Sequence, residues 1–132
     1  MKRDPRLRGL SSEHHRALVL ARALRSAAEA GGRVEDLGSL LDGELEPHFQ
    51  AEERLLLPGL KAAGRQDLVE QTLADHAFLR FSVGAAQRGD IQAMRAFAER
   101  LQDHVRFEER TLFPACEALL SGEQLARLRG GS

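Results

Sequence analysis

The chain has no tryptophan, no tyrosine and a single cysteine. Each absence removes a class of protein. Cys116 alone cannot form a disulfide within the chain, so a small cross-linked scaffold is excluded and a reducing compartment is expected. Cys116 itself is expected as a small buried apolar residue. No run approaches the ~20 apolar residues of a membrane-spanning helix. The basic start MKRDPRLRGL is not followed by the apolar stretch of a signal peptide, so a soluble, cytoplasmic protein without a membrane partner is expected. The formal net charge of -1 leaves no basic footprint for nucleic acid. Lack of tyrosine removes the phenol that some metal-centred radical enzymes use as a redox partner. No stretch alternates like a strand, so the fold class is all-α.

Apolar residues instead recur at helical spacing between short breaks. Residues 1–10 read as a polar lead-in, punctuated by Pro5 and Gly9. Ser11 or Ser12 can cap a first helix running to about Ala30, where Gly31-Gly32 stops it. Its apolar face is Leu10, Ala17, Ala21, Leu24 and Ala28. A second helix spans about Val34 to Ala63 and ends at Gly64. Pro47 either kinks or breaks it, the unbroken apolar stripe favouring a kink, and Pro58 distorts or ends it. A third spans about Asp67 to Arg88, with Val69, Leu73, His76, Leu79 and Val83 as its stripe. A fourth runs from about Ile91, behind Asp90 as N-cap, to Leu120, with Pro114 near its end. Ser121-Gly122-Glu123-Gln124 has the form of a capping box for a short C-terminal helix, and the tail Arg129–Ser132 is expected to fray. Short connections between long helices predict an up-down-up-down antiparallel four-helix bundle. Residues 1–132 are expected to form one domain, with the core bundle at about 11–120.

One pattern occurs twice. HFQAEERLLLP begins at His48 and HVRFEERTLFP at His104, both reading His-x-x-x-Glu-Glu-Arg-x-Leu-x-Pro. Helical residues i and i+4 share a face, so His48 aims with Glu52 and His104 with Glu108. Leu41, Leu45 and Leu55 continue the first line, and Met94, Phe97, Leu101 and Leu112 the second. Both pairs therefore sit in stripes that face the core. Two buried carboxylates without partners are too costly to be incidental, and a cation between them removes the cost. His76 lies in the third stripe. On the first helix His14 has Ala17, Leu18 and Ala21 beneath it and His15 has Arg22, so His14 faces the core and His15 the surface or the outer shell of the site. His14, His48, Glu52, His76, His104 and Glu108 are the candidate metal ligands. Imidazole and carboxylate without thiolate suit iron, manganese or zinc and exclude a zinc–cysteine site. Two glutamates among four histidines can bridge a pair of ions.

The remaining acids and aromatics have plainer expected roles. Glu53 with Arg54, and Glu109 with Arg110, should form solvated ion-pair faces. Asp75 and Asp103 should be exposed. Glu44, one turn before His48, is a candidate extra ligand or acceptor. Phe49, Phe78, Phe81, Phe97, Phe107 and Phe113 are expected to pack.

From Glu13-His14 to about Leu120 the chain resembles the hemerythrin-like (HHE cation-binding) domains. The resemblance rests on Glu13-His14, on His48-x-x-x-Glu52 with Glu53, Leu56 and Pro58 after it, on Ala74-Asp75-His76, and on His104-x-x-x-Glu108 with Glu109, Leu112 and Pro114. It implies two non-haem iron ions (Fe2+/Fe3+), bridged by Glu52 and Glu108, with His14, His48, His76 and His104 as terminal ligands. The residue types also accept manganese or zinc. Oxygen-carrying hemerythrins use five histidines, including a His-x-x-x-His pair on the third helix. Here Thr72 and Arg80 flank His76, which argues against reversible oxygen carriage and leaves a terminal position to water, Glu44 or nothing. The expected function is binding or sensing of a small diatomic or peroxide, or iron handling, with any signal passed to a protein partner. The alternatives are a di-iron enzyme turning over peroxide, nitric oxide or oxygen, and an interaction domain held by zinc or a single ion.

Overall fold

The computed structural model describes residues 3–32 and 34–131. Four rods run up-down-up-down. The first is α1 (Arg8–Glu29). The second is assembled from α2 (Leu37–Leu40), a π-helical turn (Leu41–Leu45), α3 (Glu46–Leu55) and α4 (Leu57–Ala62). The third is α5 (Gln66–Gln87). The fourth joins α6 (Ile91–Phe107), a second π-helical turn (Glu108–Leu112) and α7 (Phe113–Leu119), and α8 (Gly122–Gly131) follows. α6 packs along both α1 and α5, while α2 and α4 pack on α5.

Local chemistry explains the ends. Gly31, Gly64 and Gly89 take φ of 73°, 84° and 88°, and the next residue's N–H returns to a carbonyl five back: Gly32 to Ala27, Arg65 to Leu60, Asp90 to Ala85. Only a residue without Cβ adopts this closing turn cheaply. Asp90 caps α6 by accepting the Ala93 N–H at 3.0 Å. The capping box before α8 forms reciprocally, Gln124 N–H on Ser121 Oγ and Ser121 N–H on Gln124 Oε1. α8 is helical to Gly131, and Ser132 lies outside the described residues.

α1 begins earlier than its serines suggested. No side chain caps it, because the N-cap position falls on Leu7; Ser11 lies inside the helix and donates its hydroxyl to Glu109 Oε2 at 2.6 Å. Nor is the lead-in a free polar segment, for Leu7 is wholly buried and Arg3 reaches Glu109 and Glu117. None of the three later prolines ends a rod. Pro47 and Pro114 each sit at the second position of a helix that follows a π-helical turn, in which Glu46 N–H reaches Leu41 O and Phe113 N–H reaches Glu108 O. A proline ring crowds the carbonyl four residues back and offers it no donor. One extra residue in the preceding turn shifts that carbonyl aside and lets the rod continue. At Pro58 a single residue, Leu56, departs from α geometry between α3 and α4.

The apolar core has two halves. One gathers Leu24, Leu37, Leu45, Phe49, Leu79, Met94, Phe97 and Leu101, and the other Leu7, Leu10, Leu56, Leu60, Leu112, Phe113, Cys116 and Leu125. A polar layer lies between them. Two packing expectations fail on α5. Leu73 is 42% exposed and Phe81 90%, because apolar residues occupy both faces of this helix and only the face carrying Leu68, Val69, Thr72, Asp75, His76, Leu79 and Ala86 is buried in the bundle. Replacing Asp90 by alanine removes the one side-chain cap of α6 and is expected to lower stability by about 1 kcal/mol in urea unfolding.

Candidate metal centre

The layer between the half-cores consists of His14, His48, Glu52, His76, His104 and Glu108, each between 0% and 5% exposed. One histidine comes from each rod, and the glutamates from the second and fourth. Their donor atoms form two compact groups, His14-His48-Glu52-Glu108 and Glu52-His76-His104-Glu108, with all ligand atoms in a group within 4.8 Å of one another. Both glutamates belong to both groups. His15 is exposed and joins neither. Glu44 is also outside, exposed and paired with Arg16 at 2.9 Å. Thr72 donates its hydroxyl to the Leu68 carbonyl at 2.8 Å, and Arg80 is held by Glu46 and Glu53. Neither position one turn from His76 therefore offers a further donor.

Every imidazole turns Nε2 inward. His14 Nε2 lies 2.7 Å from Glu108 Oε1, and His76 Nε2 3.1 Å from Glu52 Oε1. His48 Nε2 lies 3.2 Å from Glu52 Oε2, and His104 Nε2 3.2 Å from Glu108 Oε2. Every Nδ1 faces a carboxylate on the outside, and the pairing runs once round the bundle. Glu13 on the first rod meets His48 on the second at 3.1 Å, and Glu53 on the second meets His76 on the third at 2.6 Å. Asp75 on the third meets His104 on the fourth at 2.7 Å, and Glu109 on the fourth returns to His14 at 2.7 Å. Each rod thus anchors the histidine of the next. Such acceptors fix ring orientation and leave the inner lone pair free for a cation.

This ring corrects three expectations. Asp75 is 3% exposed, not solvated, and also accepts from Arg100 at 2.6 Å. Glu53 pairs with His76 and Arg80 rather than Arg54, and Glu109 with His14, Ser11 and Arg3 rather than Arg110. Sequence did carry a trace of the ring. Each outer acid is the immediate neighbour of an inner residue (Glu13-His14, Glu52-Glu53, Asp75-His76, Glu108-Glu109). A neighbour on a helix points ~100° away, and for these four acids that direction is toward the adjacent rod. Asp103, by contrast, is exposed as expected.

Electrostatics and hydrogen bonding both favour a cation here. Burial and the nearby Glu108 charge raise the Glu52 pKa. Burial acts on Glu108 in the same sense, but His104 and its other partners hold it well below the usual carboxylate range. Burial disfavours a charged His104, yet Glu108 and Asp75 lift it to about 10; His48 is raised well above its ordinary value against the same penalty, chiefly by Glu52. Both shifts reflect the negative charge that Glu52 and Glu108 place on this layer, which a cation would offset. Within this layer three buried atoms make no hydrogen bond among the described residues, Glu52 Oε2, Glu108 Oε2 and His104 Nε2, the 3.2 Å approaches of His48 and His104 to those oxygens being ion-pair contacts alone. Leaving such atoms unsatisfied costs about 1–3 kcal/mol each. A cation shared among them removes that cost, and the nitrogen and oxygen donors fit one.

A cavity of about 320 Å³ between the first and second rods leads to this layer. Exposed Ser12, Glu13, Arg16 and Glu44 surround its mouth, Ala17, Leu20, Leu45 and Phe49 line it, and His14, His48, His104 and Glu108 form its floor. Phe49 stacks on His76 at 4.1 Å between ring centres and Phe113 on His14 at 5.4 Å, shielding those rings from water.

A four-helix bundle with a buried, doubly shared histidine–glutamate donor set defines the class: a metal-binding helical protein. The family model described as the hemerythrin HHE cation binding domain matches residues 7–116, and the chain belongs to that family. No curated protein and no solved structure gives a significant match.

Two outcomes follow. Asp75→Asn weakens the acceptor behind His104 and is expected to lower divalent-cation affinity about 10–100-fold in chelator competition, whereas Asp103→Asn leaves it unchanged. Burial pushes the Cys116 thiol up to about 12. At pH 8 an aromatic disulfide reagent should therefore leave it unmodified in the folded protein and titrate it on unfolding.

Proposed function

We propose that the chain holds two iron ions, one in each histidine–glutamate group, with Glu52 and Glu108 bridging and His14, His48, His76 and His104 as terminal ligands. The observation that carries this reading is the sharing of both glutamates by both groups. One ion would leave two imidazoles idle in the core, whereas two ions use all six side chains. Carboxylates between two like-charged ions also offset part of their repulsion. Bound iron would supply redox chemistry toward oxygen, nitric oxide or peroxide. The chain's own residues hold the ions, fix the imidazoles through the outer acids and keep bulk water out with Phe49 and Phe113.

The physiological role we infer is binding or sensing of such a small ligand, reached through the cavity above His14 and His48. The two groups contain four imidazoles, with Thr72 and Arg80 otherwise engaged, which weighs against a five-histidine oxygen carrier. No helix among the described residues is long and apolar enough to cross a membrane. The lone buried thiol supports a cytoplasmic setting.

Metal analysis with absorption spectra tests the reading. About two irons per chain are expected, with a near-ultraviolet band in the ferric form that bleaches on reduction. One colourless zinc per chain would replace the proposal with a structural-metal domain. Peroxide turnover abolished by Glu52→Ala would make the protein an enzyme rather than a sensor. His14→Ala should lower iron content more than His15→Ala does, and the reverse order would overturn the assignment on α1.

A further inference from the structure

The four outer acids are not equally held. Glu53 is fixed by Arg80 at 2.9 Å, Asp75 by Arg100 at 2.6 Å and Gln71 at 3.1 Å, and Glu109 by Ser11 at 2.6 Å and Arg3 at 3.2 Å. Glu13 has no arginine or hydroxyl partner among the described residues, its side chain is 48% exposed, and its contact to His48 is the longest of the four at 3.1 Å. It also stands at the mouth of the cavity whose floor includes His48. His104 borders that cavity as well, but behind it stands a buried aspartate with two further partners.

We propose that the centre is kinetically asymmetric: the ion in the His14-His48 group exchanges first, through the cavity, and Glu13 is the positioning residue that sets its rate. This rests on the two-ion reading above. An imidazole whose outer nitrogen is held by a solvated, unbraced carboxylate swings more readily than one held by a braced acid. When His48 turns toward the cavity, the first group keeps only His14 and the shared glutamates, and water from the mouth can take its place. The second group has no such member. His76 lies between Phe49 and the Arg80-braced Glu53, and His104 is held by Asp75. Loading would run in the reverse order, the second group filling first and the first group last.

The test uses the full chain loaded with zinc, with release to an excess of a coloured chelator followed by stopped flow. Two phases of one ion each are expected. Glu13→Gln should speed the fast phase about tenfold and leave the slow phase alone, and Glu53→Gln should speed the slow phase alone. Glu13 is exposed, so its variant is expected to fold, and unchanged helical circular dichroism checks this. Two ions leaving in one phase, or a Glu13→Gln effect on the slow phase or on neither, overturns the asymmetry while two-ion binding stands. One ion in total overturns the two-ion reading and this inference with it.

Discussion

Two carboxylates buried from bulk solvent, Glu52 and Glu108, sit at the middle of the bundle, and the rest of the structure answers that cost. Both are fully buried. Like charges this close in a low-dielectric interior repel strongly, and burial removes the bulk solvent that would screen them. Four imidazoles surround them, one from each rod, and four outer acids hold those imidazoles. Arginines and a serine then brace three of the outer acids. The charge is handed outward shell by shell until it reaches solvent. The apolar core divides around this layer because nothing apolar can replace a member without stranding its neighbours.

The outer ring also ties the bundle together laterally. Each acid–histidine contact joins one rod to the next, so the site and the packing of the rods are one set of interactions. Metal binding and bundle stability are accordingly linked: an ion that orders the inner shell tightens contacts between all four rods. The ring is least braced beside the cavity. Between the first and second rods the cavity replaces side-chain packing, and there the ring relies on the unbraced Glu13.

Family membership and geometry together narrow the chemistry. The donors are nitrogen and oxygen, the two groups share their carboxylates, and the approach is a lined cavity rather than an open cleft. The symmetry suggested by the repeated motif is only approximate. Glu108 opens a π-helical turn, whereas Glu52 lies within regular α3 and the corresponding π-helical turn precedes His48. A π-helical turn rotates the residues beyond it relative to an ideal helix, so the two copies deliver their carboxylates from different backbone geometries. Chemically equal halves are thus presented unequally to the cavity.

The six inner side chains were legible in the linear order of residues because helical periodicity converts spacing into direction. An i, i+4 histidine and glutamate inside an apolar stripe can face only the core. Asp90, the capping box at Ser121 and the glycine stops were legible for a similar reason, since their hydrogen bonds close within a few residues. The outer acids were not. Glu13, Glu53, Asp75 and Glu109 stand one position from an inner residue, and whether ~100° of rotation points to water or to another helix depends on which rod lies alongside. Leu73 and Phe81 were misplaced for the same reason, as periodicity on α5 supports two faces and only packing selects one. Local order along the chain determined the bundle, its ends and the donors it buries; the contacts between rods, formed by residues distant in sequence, decided how those donors are held and from which side they are reached.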